Sequence, residues 1–225
     1  MSTSTASAKP APAKTPRSAT TGEPVTTVAR RNRLGIWLCI VSDATGTVAL
    51  LISYVYLWSL NVNDAWAPPK DQFADDLPFW LIVGGIILAA ATMWWGVRGI
   101  ARGQRGRLIL ASALATIIVL VTFVGQIVQL STFPFAMTDG AYASATFWLA
   151  IATAIHLSVV LFLTTAIMNR TRAGLFTSSN HSHVRLVAMW MTWVCVAALV
   201  GAVCTTTMKV SPNTQSPAFG VFTSQ

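Results

Sequence analysis

Charge is what this sequence has least of. Asp, Glu, Lys and Arg make up 10% of its 225 residues, against about 25% in an ordinary soluble domain. Negative charge is the scarcer sign, with seven acidic residues against fifteen basic ones. Such a chain cannot clothe a soluble surface, and its 54% hydrophobic content favours a single membrane bundle over a soluble fold. Cysteine is scarce too. Cys39, Cys195 and Cys204 all lie inside apolar stretches and form no C-x-x-C pair, which excludes a disulfide framework and leaves them as small packing residues. There is no phosphate-binding Gly-rich loop, no H-E-x-x-H and no nucleophile elbow. There is no internal repeat, and an odd number of apolar segments cannot form two equal halves like an inverted-repeat transporter.

The net charge of +8 would raise the question of nucleic acid in a soluble protein. Here its placement suits the lysines and arginines that orient a membrane protein. Residues 1–32 form a basic tail; up to residue 29 it is rich in Ser, Thr, Ala, Pro and Lys and has no apolar run. That composition predicts disorder. No apolar h-region precedes residue 34, which excludes a signal peptide, and Pro10, Pro12 and Pro16 interrupt the amphipathic helix a transit peptide would need.

Five apolar segments follow, near residues 34–60, 78–100, 108–131, 145–168 and 185–208. Each exceeds the roughly 20 residues that a span requires. Each is apolar around most of its circumference, as a helix in lipid or a bundle core is. Backbone polar groups in hydrocarbon must be satisfied within the segment, so the expected fold is an all-α bundle of five transmembrane helices spanning 33–208, with an outer tail at 209–225.

The basic residues set an expected orientation. Lys9, Lys14, Arg17, Arg30, Arg31 and Arg33 precede the first segment. Arg98, Arg102, Arg105 and Arg107 fill the second connection, and Arg170, Arg172 and Arg185 the fourth. These are 13 of the 15 basic residues, and five spans put them all on one side. The other side holds Lys70 and Lys209 with Asp64, Asp71, Asp75, Asp76 and Asp139. The positive-inside rule then predicts the N-terminus in the cytoplasm and the C-terminus outside. Trp58, Trp66, Trp80, Trp94 and Trp95 fit an interfacial aromatic belt. Pro78 begins the second segment, where a missing N–H costs little.

Polar groups within spans are the first functional candidates. Asp43 is the one carboxylate inside a segment, and His156 lies near the middle of the fourth. Gln126 and Gln129 lie in the outer half of the third. Thr45, Thr47, Thr153, Thr192 and Ser158 can satisfy backbone carbonyls. An Asp in hydrocarbon costs about 2.5–3.5 kcal/mol on the insertion scale. It must carry a proton or find a partner, and His156 is the ionisable group at comparable depth. The bland alternative is that each bonds a nearby hydroxyl or carbonyl and merely packs. A haem held by two intramembrane histidines has only one candidate here. Asn180-His181-Ser182-His183 is a weak metal motif in a basic loop, and the cysteines are far from it in sequence. No metal or cofactor is expected on this chain.

The first segment reads Arg33-Leu34-Gly35-Ile36-Trp37-Leu38-Cys39-Ile40-Val41-Ser42-Asp43 and ends Ser53-Tyr54-Val55-Tyr56-Leu57-Trp58. It resembles the opening L-G-x-W-L-F-x-x-S-E and A-Y-x-Y-L of subunit III of haem–copper terminal oxidases, in the short five-helix bacterial form. Gly140-Ala141-Tyr142-Ala143-Ser144, with His156 fourteen residues after Tyr142, resembles the family's G-x-A-Y-G-S and the second His of its H-G-x-H. Arg170 to Phe176 resembles its basic R-x-G-x-F/Y turn. Residues 33–208 carry the likeness.

The resemblance implies a non-redox accessory subunit in a prokaryotic plasma membrane. Such a subunit packs against catalytic subunit I and subunit II, holds lipids, and supports oxygen and proton access, with haem and copper in the partner. It puts Asp43 at the family's reactive buried acid, one methylene shorter. There are departures. Thr153 replaces the first His of H-G-x-H. Gln126 and Gln129 stand where the family has Q-A-Y-E, so the Glu is lost. Met189-Trp190-Met191-Thr192-Trp193-Val194 replaces Y-W-H-F-V-D. Two other readings use the same residues: a subunit of a related complex such as a nitric oxide reductase, and a small transporter relaying protons through Asp43 and His156.

Overall fold

The structure, a computed structural model, describes residues 22–213. Five helices account for most of them: α1 Val25–Leu60, α2 Asp76–Ala101, α3 Arg105–Ser131, α4 Ala141–Arg172 and α5 Ser182–Thr207. All five are long and apolar enough to cross a membrane. The segments expected from sequence each correspond to one helix, and every helix begins earlier than expected. The largest difference is at the start of α1. Residues 25–32, expected within the disordered tail, are helical. Pro24 precedes the first turn, where its locked φ suits helix entry, and Arg30, Arg31 and Arg33 are good helix formers that need no core. The remainder of the expected tail, 1–21, and residues 214–225 lie outside the described residues.

Helices α2, α3, α4 and α5 close a ring in which each packs on its two neighbours. α1 lies outside the ring, against α4 and α5 only. Its surface shows this: Ile40 and Tyr54 are its only buried residues, while Leu34, Trp37, Val41 and Ile52 are exposed. Side chains exposed along a span face lipid or another subunit, so α1 is apolar without being core.

The ring closes most tightly between α2 and α3, where small residues let the backbones approach. A Cβ added at Gly96 would lie 2.7 Å from Ala111 Cβ, and one at Gly99 would lie 2.6 Å from Arg107 Cδ. Gly84, on the same helix, faces open space.

The two ends are finished differently. At the end with the acidic residues, α1 stops at Asn61, which takes a left-handed conformation (φ 38°, ψ 52°) and donates its N–H to Leu57 O. Asn tolerates that region better than most residues. The connection to α2 then folds back under α4. Ala65 O and Trp66 O accept the N–H groups of Ala141 (2.9 Å) and Tyr142 (3.0 Å), supplying partners for the orphan donors of the first turn of α4. Gly140 (φ 126°) permits this approach, since a Cβ there would meet three carbonyl oxygens at 3.1–3.3 Å. The residues after α5 return across the same end. Trp66 Nε1 donates to Lys209 O (2.7 Å), Trp58 Nε1 to Val210 O (2.8 Å) and Ser211 Oγ to Trp58 O (2.6 Å). Lys209 Nζ pairs with Asp76 Oδ1 at 2.8 Å.

At the end with the basic residues, Arg105 reaches across to the C-terminus of α4, donating to Thr171 O (3.2 Å) and Arg172 O (2.7 Å). A cation on exposed terminal carbonyls is favoured by hydrogen bonding and by the helix dipole.

The tight α2–α3 seam yields a first prediction. Gly96→Leu should cost about 1–3 kcal/mol through overpacking, seen as a lower midpoint in detergent unfolding. Gly84→Leu should leave that midpoint unchanged.

Candidate functional site

The polar residues of the spans fall into two groups. The first lies where α1 meets the ring. Asp43 is near the middle of α1, His156 near the middle of α4 and Trp193 near the middle of α5. His156 Nε2 lies 3.0 Å from Asp43 Oδ1 and 2.9 Å from Oδ2. Trp193 Nε1 donates to Oδ2 at 2.6 Å. One carboxyl group thus ties three helices together. The His156 side chain is 12% exposed and that of Asp43 29%, so the acid is the more open of the two. It is reached through a groove of about 550 Å³ between α1 and α4, with Gly46, Thr47, Leu50, Trp148 and Ile155 in its walls. Gly46 leaves open space beside the acid.

Nε2 and the indole N–H occupy one edge of the carboxylate and leave its open side toward the groove. Two donors at hydrogen-bond distance offset much of the cost of a carboxylate in hydrocarbon. A proton shared within the pair can also leave it neutral. The His156 ring meets Trp190 edge-on at 6.2 Å, which walls the imidazole on its other flank. Sequence reasoning singled out Asp43 and His156 and passed over Trp193. The signal was present: Trp193 sits mid-helix, far from the interfacial belt, and a buried indole N–H needs an acceptor.

The second group is inside the ring. Gln126 Nε2 donates to Gln129 Oε1 at 3.1 Å, and both residues are buried. Gln126 lines a cavity of about 20 Å³ with Thr153 and Thr205. Gln129 Nε2 and Thr146 Oγ1 are buried without a partner among the described residues. The four candidates therefore form two sites, with no hydrogen bond joining the Asp43 pair to the Gln pair. Most candidate hydroxyls bond carbonyls of their own helix: Thr45 to Val41 O, Thr153 to Leu149 O, Thr192 to Ala188 O and Ser158 to Ile155 O. His181 and His183 stand at the start of α5. No group of three or more His, Cys, Asp or Glu comes together among the described residues.

A family model, cytochrome c oxidase subunit III, matches residues 15–203. The chain belongs to the cytochrome c oxidase subunit III family. It is a multi-pass membrane protein, an all-α bundle of five long apolar helices. No curated protein matches it. Membership gives the departures a structural meaning. Thr153, in place of the first His of the family's H-G-x-H, bonds its own helix and lines the central cavity. In the altered Y-W-H-F-V-D segment, Trp193 supplies a donor to the acid, and Thr192 accepts from Trp94 Nε1 at 2.9 Å. The resemblance sets Met191 and Val194 at that segment's His and Asp, and both are buried apolar side chains.

The geometry predicts strong non-additivity. Asp43→Leu alone strands His156 and Trp193, and His156→Leu alone leaves the acid with the Trp193 N–H but no imidazole. The double variant removes both ends of the pair. A double-mutant cycle in detergent unfolding should give a coupling of roughly 1–3 kcal/mol. Trp193→Phe should cost about 0.6 kcal/mol and no more than about 2. Additive Leu variants would mean that the contact carries no energy.

Proposed function

We propose that this chain is the non-redox subunit III of an aerobic haem–copper oxidase in a prokaryotic plasma membrane. It packs beside subunits I and II, which carry the haem and copper. It stabilises the catalytic subunit and supports oxygen and proton access to it. The observation that carries the reading is the Asp43–His156–Trp193 node, an acid, a base and a fixed donor joined at mid-depth. An intramembrane ionisable group held by a named partner is a functional site by default. An acid hydrogen-bonded to an imidazole and open to a groove suits a proton-holding role. Family membership supports the assembly with oxidase subunits. The division of charge between the two ends supports an orientation with α1 starting in the cytoplasm.

The test is Asp43→Asn in the assembled oxidase. Asn keeps the shape and an acceptor oxygen but cannot hold the exchangeable proton. Haem and copper content should be unchanged, while proton uptake and turnover under sustained cycling should fall. Unchanged turnover and pumping would leave a structural role only. A purified complex without haem and copper would overturn the oxidase assignment. Transport by the chain reconstituted alone would favour the transporter reading. Cysteines introduced at Asp139 and at Arg102 should label from opposite sides, the second only from the cytoplasm.

A further inference from the structure

The centre of an apolar ring is an expensive place for polar atoms, yet three of its helices each put a polar side chain there. The cavity of about 20 Å³ inside the ring is lined by residues of α2, α3, α4 and α5. Phe79 and Ile82 of α2 supply apolar wall. Gln126 of α3, Thr153 of α4 and Thr205 of α5 supply the polar part. Gln126 is 2% exposed and Thr205 fully buried, so bulk water does not serve them.

The hydrogen-bonding capacity of these side chains is only partly used. Thr153 Oγ1 donates to Leu149 O at 3.0 Å. Thr205 Oγ1 shares its hydrogen between Gly201 O at 3.0 Å and Ala202 O at 3.1 Å. A hydroxyl carries a single hydrogen, so both oxygens have no proton left to give but can still accept. Gln126 Nε2 gives one hydrogen to Gln129 Oε1 at 3.1 Å. Its other N–H and its Oε1 bond nothing among the described residues, and none of the three side chains bonds another. A buried amide left half used is costly. What surrounds the cavity is therefore a free N–H from one helix and free acceptor oxygens from all three.

A cavity takes up a water once it has about 10–15 Å³ of room and offers about two to four polar partners. Apolar cavities of such a size stay dry. At about 20 Å³ this one has room for one water and for no larger ligand. We propose that the cavity is a binding site for a single ordered water molecule. The water accepts the free N–H of Gln126 and donates to Thr153 Oγ1 and Thr205 Oγ1. A bridging water is enthalpically nearly as good as a direct hydrogen bond. It joins α3, α4 and α5 through side chains that otherwise bond only within their own helices. The site is independent of the Asp43 node and of which complex the chain joins.

The test is a map of the full chain in lipid, at a resolution that shows ordered waters elsewhere in the same map. One peak should stand within hydrogen-bond distance of Gln126 Nε2, Thr153 Oγ1 and Thr205 Oγ1. Thr153→Val/Thr205→Val keeps the shape of both side chains and removes both acceptors, and it should lose the peak. Thr153→Ser, which keeps the oxygen, should retain it. Should the double variant fail to fold, Thr153→Val against Thr153→Ser decides the same question, with the peak weakened only in the first. An empty cavity in the unaltered chain overturns the proposal, as does xenon taken up there under pressure. So does a peak that survives the Val variants unchanged, or one that is lost from Thr153→Ser as well.

Discussion

A polar group inside hydrocarbon must find its partner within the protein, and α1 is organised around that demand. Along most of its length the helix is exposed on the outside of the ring. At Asp43 it meets both ring helices that it packs against, through His156 on α4 and Trp193 on α5. The apolar contacts of α1 with the ring are modest, and between apolar helices lipid competes well. The carboxyl group supplies what apolar packing lacks, a defined rotation and depth. A helix turned by one residue, or shifted by one turn, would leave the acid facing lipid with two stranded donors. The node therefore fixes where α1 sits, and through α1 it shapes the groove beside Asp43.

The same rule explains the interior of the ring. Gln126 donates to Gln129 one turn on, and most Thr and Ser hydroxyls bond the carbonyls four or three residues earlier, leaving Gln129 Nε2 and Thr146 Oγ1 without a partner among the described residues. These are local solutions, each within one helix. They cost little and they commit the bundle to no particular neighbour. Between helices, polar specificity comes from the Asp43 node, from the Trp94–Thr192 bond, from Tyr142 donating to Thr205 O and from Arg105 on the carbonyls that end α4. The ring is held instead by close approach at Gly85, Gly96 and Gly99, where an added Cβ would meet Thr122, Ala111 and Arg107 of α3.

Much of this was legible in the sequence. Five apolar segments and a strict division of charge give five helices, because a bilayer admits few alternatives. Asp43 and His156 stand out because each is rare in its surroundings. What was not legible has particular causes. The start of α1 at Val25 was hidden because polar and basic residues give no apolar signal, although they form helix readily once a span has nucleated one. Trp193 was hidden among nine tryptophans, most of them explicable as interfacial anchors, and only its partner marks it out. The separation of Gln126 and Gln129 from the Asp43 pair depends on which face α3 turns inward, and a helix apolar all round does not declare a face. The return of residues 209–213 across the acidic end is built from indole donors and backbone carbonyls, for which sequence carries no pattern.

That return has a consequence for how the molecule comes into being. Everything that holds α1 in place is made late: its partners lie 113 residues on in α4, 150 residues on in α5 and 152 residues on at Val210. During synthesis α1 must wait in the membrane, its acid without a partner, while α2 and α3 insert and pair with each other. Its seat between α4 and α5 exists only once both are present, and the clasp over its far end only once the chain has passed Ser211. The first helix made is the last to be placed, so a chain halted before α4 would leave the acid without either partner, a ready mark of incompleteness for the cell's quality control.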